Sequence, residues 1–213
     1  MFAIGITELR DIFGASPDLA ARLRQIAAAH LPTPTGEHRR RGTLLGRIGP
    51  ALKQPIDKLE APKRPTLADV DALLAGRTVG PERLGYAWHI ALIWLAELSW
   101  GRLDLDLDEA QLTTVEFDLA RAGMPSTFAL ERLLQGNPQI PLRPLPGQRF
   151  GYAKNAHVEA TRQGLSTVIG DVADDSLTTT GTTLEFLNNY PEWTRQAART
   201  GRPAPDLVVV WMG

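Results

Sequence analysis

Four carboxylates lie close together in "GRLDLDLDEAQL", residues 101–112 of the 213-residue chain. Asp104, Asp106, Asp108 and Glu109 offer the oxygen donors that Ca²⁺ prefers. An EF-hand loop that started at Asp104 would need glycine at its sixth position and glutamate at its twelfth. The chain has Glu109 and Val115 at those positions. We therefore predict that this stretch holds no metal.

The alternation of leucine and aspartate has a structural explanation instead. Successive side chains of an extended chain point to opposite sides, so one side would be apolar and the other would carry the aspartates into water. The pattern favours an edge strand over 103–107. Asp108 is also suited to be the N-cap of a following helix, with Gln111 three residues later and Gly123 at its end.

Histidine titrates closest to neutral pH, and the chain has four of them. His30, His38 and His157 lie at a predicted helix end, in a basic segment and on an ordinary amphipathic helix, so each is interpreted as structural. His89 differs because it lies within "GYAWHIALIWLAELSW", a stretch that is apolar on almost every helical face. We predict a buried helix there and a hydrogen-bonded core histidine, in preference to a histidine that lines a pocket.

If His89 does line a pocket, Tyr86 and Trp100 are its candidate neighbours. A titratable group on a helix that crosses the core is one place where an enzyme site can form. That alternative would make the protein a hydrolase or transferase. The chain contains no Walker loop, dinucleotide glycine fingerprint, nucleophile-elbow serine or paired-histidine zinc helix, so no catalytic residue and no cofactor is predicted.

A basic segment covers residues 32–65, with eight Lys/Arg, three acidic residues, six prolines and four glycines. It carries a charge of +5, so the rest of this chain of net charge −1 carries −6. We predict a long irregular loop. Arg39, Arg40 and Arg41 are candidate contacts for an anion or a partner. The pI of about 6.4 and the lack of interleaved aromatic residues make nucleic acid an improbable ligand.

Composition excludes several classes of protein. The chain has no cysteine, which removes disulfides, thiolate catalysis and iron–sulfur clusters. Its longest apolar run, "IALIWLA", is far shorter than the roughly 20 residues of a membrane span. No signal peptide opens the sequence, because Glu8 follows the first apolar residues too soon. These features, with the abundance of arginine and alanine, predict a soluble, cytoplasmic, bacterial protein.

Helix and strand signals alternate along the chain. Ser16 before Pro17 and Thr66 before Asp69 predict helix starts, whereas "MFAIGI", "RFGY" and "DLVVVWM" predict strands. The polar stretch "DVADDSLTTTGTT" is predicted to be a loop. Because strands occur at the start, middle and end of the chain, we predict one α+β domain over 1–213. It would be mostly helical, with a small mixed sheet joining those distant parts.

In residues 66–213 a strand that ends in Gly-Tyr leads into a helix, and a late helix leads into a terminal apolar strand. The residues at these positions are Gly151, Tyr152, Val158, Trp193, Ala198 and Val208. This layout resembles that of bacterial proteins of the YfbM-like group and related actinobacterial domains of unknown function. The resemblance implies a compact α+β fold and implies no activity.

The leading hypothesis is a non-enzymatic binding or interaction protein, for example an accessory or immunity-type partner of another bacterial protein. It depends on the missing catalytic motifs and on the contrast between an acidic body and one basic segment. Contrast of this kind steers association between proteins. The alternative remains an enzyme whose site lies near Tyr86 and His89.

Overall fold

A computed structural model describes residues 1–31 and 64–212 of the chain. Nearly all of the basic segment, including the candidate contacts Arg39, Arg40 and Arg41, lies outside these ranges. The predicted loop there stays a prediction. None of the helices in the described ranges combines the length and the apolar character that a bilayer span requires.

Short strands from three distant parts of the chain form one sheet. They are β1 (Phe2–Ile4), β2 (Gln148–Ala153) and β3 (Asp206–Met212), in the order β1-β3-β2. Both pairings are antiparallel, with Phe2 opposite Val208 and Tyr152 also opposite Val208. The α+β class and the joining of the strands are confirmed. The expected mixed pairing is corrected, because β3 runs against both of its neighbours.

Helices cover both faces of this sheet. In chain order they are α1 (Ile6–Ile12), α2 (Pro17–His30), α3 (Leu67–Leu74), α4 (Leu84–Leu98), α5 (Glu109–Arg121), α6 (Asn155–Val168), α7 (Asp174–Leu187) and α8 (Tyr190–Thr200). Val208 and Val210 of β3 pack in a core with α1 to α4, whereas Leu207 and Val209 pack in a second core with α5 to α8. Strand β3 is therefore apolar on both faces, which explains the continuous run "LVVV".

Side-chain caps begin the helices that the sequence predicted most clearly. The Ser16 hydroxyl accepts a hydrogen bond from the Leu19 N–H at α2. Thr66 and Asp69 form a reciprocal capping box at α3, and the Asp108 carboxylate accepts from the Gln111 N–H, 2.8 Å away, at α5. These predicted helix starts are confirmed, since a cap depends only on residues within one turn.

The prediction of a loop at "DVADDSLTTTGTT" is wrong, because most of that stretch belongs to α7. Ser176, Thr180 and Thr183 are fully buried on one side of this helix, and Leu187 continues the same side. Their spacing of four, three and four residues is the helical period. The buried side of α7 therefore carries small polar residues where an amphipathic helix usually carries apolar ones. For this reason the sequence of the stretch is typical of a loop.

The prediction of an edge strand over 103–107 is wrong, because the Leu/Asp segment, residues 103–108, has no strand in the structure and pairs with the start of the chain only at Leu103. Backbone hydrogen bonds join Ala3 to Trp100 and Gly101 and join Met1 to Leu103, and one isolated bridge pairs Phe2 with Arg102. Regular pairing stops there. The alternation itself is observed, since every leucine of the segment is half-buried and every aspartate is exposed.

Asp206, the first residue of β3, joins the sheet to two helices. Its carboxylate is buried and accepts hydrogen bonds from the N–H of Ile6, at the start of α1, and of Asn155, at the start of α6, both at 2.9 Å. Both N–H groups belong to the first turn of a helix, where no intrahelical acceptor exists and the helix dipole favours negative charge. One side chain therefore caps two helices.

Replacement of this carboxylate is expected to be costly. A hydrogen bond to a charged group contributes about 1.5–3 kcal/mol, so Asp206→Ala should lower the free energy of unfolding by about 3–5 kcal/mol. Asp206→Asn keeps one acceptor oxygen and should lose about half as much. Urea denaturation measures both, with the exposed Asp11 as the control: Asp11→Ala should change stability by less than about 0.5 kcal/mol. Equal stability of Asp206→Ala and Asp11→Ala would contradict this role.

Candidate functional site

His89 is exposed, so the prediction of a core histidine is wrong. Six buried residues of α4 lie along one side of the helix: Ala87, Trp88, Ile90, Ala91, Trp94 and Leu95. The exposed stripe, which consists of Gly85, His89 and Glu97, lies outside that buried side, and its members are four and eight residues apart. A helix composed almost wholly of apolar residues can therefore still expose a polar stripe, and its composition does not show where that stripe lies.

The stripe borders an open cleft of about 530 Å³, the His89 cleft. Its polar lining residues are His30, His89, Glu97, Arg102 and Asp104. His30 Nε2 lies 3.6 Å from a carboxylate oxygen of Glu97, and Arg102 forms an ion pair of 2.6 Å with Asp104. The cleft therefore brings two imidazoles, His30 and His89, to one opening, and the His30 ring lies beside a carboxylate. Within the described ranges no three His, Asp or Glu side chains are grouped to hold a metal.

Tyr86 and Trp100, the other candidates, are not brought to His89. Arg83 lies over the Tyr86 ring at 4.3 Å and also bonds the buried Asp69. Trp100 follows the far end of α4, about 20 Å of helical rise from Tyr86, and its ring lies under Arg202 at 4.3 Å. Of the three candidate pocket residues, the structure places His89 in the lining of this cleft and places Tyr86 and Trp100 outside it.

Beside the Leu/Asp segment lies a smaller cavity of about 130 Å³, the apolar slot. Asp104 is the charged side chain in its lining. The apolar members of the lining are Met1, Leu103, Leu105, Leu107, Leu112, Leu130, Leu133, Leu134, Val209, Val210 and Trp211. The Trp211 indole N–H donates to the Leu107 carbonyl at 2.7 Å, which holds the far end of the segment against β3. The slot is large enough for one side chain, since a cavity of about 150 Å³ binds benzene.

Carboxylates follow the outer side of the slot. Asp104, Asp106, Asp108 and Glu109 are all exposed. Two arginines offset part of this charge, since Arg102 pairs with Asp104 at 2.6 Å and Arg149 lies 3.3 Å from Glu109. Sequence analysis identified these acids but missed the slot, because its lining combines residues from the start of the chain, from 103–134 and from β3. Their only sequence signal is the leucine at every second position of the segment.

Comparison with known proteins gives one finding for the whole chain. The family model described as "Domain of unknown function (DUF7691)" matches residues 1–212. The chain belongs to this family. The match includes the basic segment, and it confirms the expectation of an unknown-function domain, while the YfbM-like resemblance is not shown. No curated protein and no solved structure matches the chain.

The ion pair between Asp69 and Arg83 predicts how the stability of the fold depends on pH. Burial raises the pKa of Asp69, but hydrogen bonds from Arg83 and Thr66 outweigh it, so the pKa lies below its usual value. A lowered carboxyl pKa stabilises the fold above the unfolded pKa of about 3.9, and this contribution is lost as pH falls through the folded pKa. Asp69→Asn should cost about 3 kcal/mol at pH 7, and the difference from the parent should shrink below about pH 4.

Urea denaturation at neutral and acidic pH measures this effect. Asp71→Asn is the matched control, because the pair of Asp71 with Arg24 is half-exposed and should contribute less than about 1 kcal/mol. A stability difference for Asp69→Asn that is the same at both pH values would contradict the charged pairing.

Proposed function

We propose that this protein is a non-catalytic binding protein for a basic segment of a partner protein. The observation that carries the proposal is the apolar slot, which is open beside a row of exposed aspartates. One apolar side chain of the partner would enter the slot, and flanking lysines or arginines would lie along Asp104, Asp106 and Asp108.

The two parts of this surface contribute differently. Burial of one Leu- or Phe-sized side chain is worth about 1.5–3 kcal/mol, which makes the slot the main source of affinity. Exposed ion pairs contribute only about 0–1 kcal/mol each, but a row of like charges increases the association rate and rejects acidic partners. A basic partner is favoured because the described body of the chain is acidic.

Peptide display on the full chain tests the proposal. Enriched peptides should carry one large aliphatic or aromatic residue flanked by Lys or Arg. Calorimetry with an enriched peptide should show binding at least about tenfold weaker for Leu105→Trp, which fills the slot, because the anchor then stays in water. Asp106→Lys should weaken binding several-fold, and more so at low salt.

Matched variants separate these effects from unspecific damage. Leu67→Trp adds the same indole to an exposed position on α3, and Glu185→Lys reverses an exposed charge on α7. Neither should alter peptide affinity. Selection of acidic peptides, or equal binding by the parent and Leu105→Trp, would refute the proposal.

A second candidate is a hydrolase or transferase that uses the His89 cleft. It is supported by the two exposed histidines that line this cleft with Glu97. Histidine is the side chain most often used in general acid–base catalysis, which contributes about 10²–10⁴ in rate. Tyr86 takes no part in this version, because it packs with Arg83.

Activity measurements decide the second candidate. A panel of ester, phosphoester and amide substrates should reveal turnover that His89→Gln reduces at least about 100-fold. His38→Gln, which changes a histidine of the basic segment, is the control. If both variants keep the parent rate, or no substrate turns over, the catalytic candidate is rejected while the peptide-binding proposal is unaffected.

A further inference from the structure

A third opening in the described surface is lined by cations, in contrast to the row of carboxylates beside the apolar slot. This cationic cleft has a volume of about 570 Å³ and is lined by Thr127, Arg132, Gln135, Gly136, Tyr152, Ala153, Lys154 and His157. None of these lining residues is acidic. Arg132 and Lys154 carry permanent charge, and the hydroxyls of Thr127 and Tyr152 can add donors. The cleft therefore presents mainly donors and positive charge, although the chain as a whole is slightly acidic.

The floor of the cleft is held by a close approach of two backbones. Gly136 and Tyr152 exchange two backbone hydrogen bonds, of 3.0 and 3.1 Å. A Cβ at Gly136 would lie 2.3 Å from the Tyr152 carbonyl oxygen, so only glycine fits there. This bridge fixes the turn that carries Arg132 and Gln135 against the strand that leads to Lys154.

The cations of the cleft are only lightly engaged within the protein. Arg132 donates to the amide oxygen of Gln135 at 2.9 Å and forms no ion pair with a described carboxylate. Lys154 is largely exposed, with its ammonium 3.8 Å from Asp206, whose two oxygens already accept from the helix starts. Both side chains thus remain able to bind a ligand.

His157 adds a polar atom that the described residues do not satisfy. Its ring packs against Phe128, with 5.7 Å between centroids, and its Nε2 is buried without a hydrogen-bond partner. A buried polar atom without a partner costs free energy, and such atoms occur where a ligand or a water completes the site.

We propose that the cationic cleft binds the phosphate group of a small organic phosphate. Arg132 and Lys154 would neutralise a dianion, which a single cation cannot do, and the hydroxyl donors would fill its further acceptor positions. The half-buried Tyr152 ring would contact the apolar part of the ligand. This site is separate from the peptide-binding surface and does not depend on it.

Calorimetry on the full chain, with phenyl phosphate, inorganic phosphate and benzoate as probes, tests this inference. Phenyl phosphate should bind most tightly, inorganic phosphate more weakly, and benzoate most weakly, since it carries a single charge. Arg132→Gln and Lys154→Gln should each weaken the binding of phenyl phosphate at least about tenfold, because each substitution removes a hydrogen bond from a charged donor. The amide signals of Gly136 and Tyr152 should shift on titration.

Arg121→Gln is the matched control, because Arg121 is exposed on α5 and contacts Phe117 rather than a carboxylate. It should leave the affinity unchanged, and thermal melting should show that all three variants fold. Binding that is not saturable, or that survives both cleft substitutions, overturns the site. Tighter binding of benzoate than of phenyl phosphate overturns the assignment to phosphate.

Discussion

The buried carboxylate of Asp206 is the interaction on which this fold depends most. It lies at the first residue of the central strand and accepts from the first N–H groups of α1 and α6. Helix starts are usually capped by a side chain close in sequence, but here the acceptor is 200 residues from Ile6 and 51 from Asn155. The same carboxylate therefore joins distant parts of the chain, orients a helix on each face of the sheet and fixes where β3 begins.

The unequal lengths of the strands create the apolar slot. Strand β1 pairs only with residues 206–208, whereas β2 follows β3 as far as Met212. Beyond Phe2 the Leu/Asp segment lies next to β3 without regular pairing, and its leucines cannot fill the space that a strand would occupy. The slot and the His89 cleft share Met1, Asp104 and Val210 in their linings, so both openings lie at this end of the sheet.

One short turn, Leu130–Leu134, serves two of the proposed surfaces. Its leucines line the apolar slot, whereas Arg132 lines the cationic cleft. This division follows from the tight geometry of a 3₁₀ turn, where neighbouring side chains point in different directions. A Cβ at Gly151 would collide with the backbone of Leu134, which shows how closely this turn is packed on β2. The two proposed surfaces thus border the same turn but use different side chains of it.

Local signals explain which predictions succeeded. The caps at Ser16, Thr66 and Asp108 and the apolar strand at the end of the chain depend on residues a few positions apart, so their physics is visible in the sequence. The helix over Ser176 and Thr183 was missed because its buried face is small and polar, and the Ser176 hydroxyl is satisfied by the distant carboxylate of Asp118 at 2.6 Å. The prediction that His89 is buried failed because the composition of an apolar helix does not show which of its sides faces solvent.

The sequence by itself determined the α+β class, the main helix starts, the central strand and the outward row of aspartates, since each follows from periodicity or capping over a few residues. Only the tertiary structure decided the rest: that Asp206 caps two helices, that His89 faces a cleft, and that leucines from three separated stretches line a slot against β3. These features depend on which distant surfaces meet. A chain specifies such contacts through the combined packing of many side chains, and no short pattern records them.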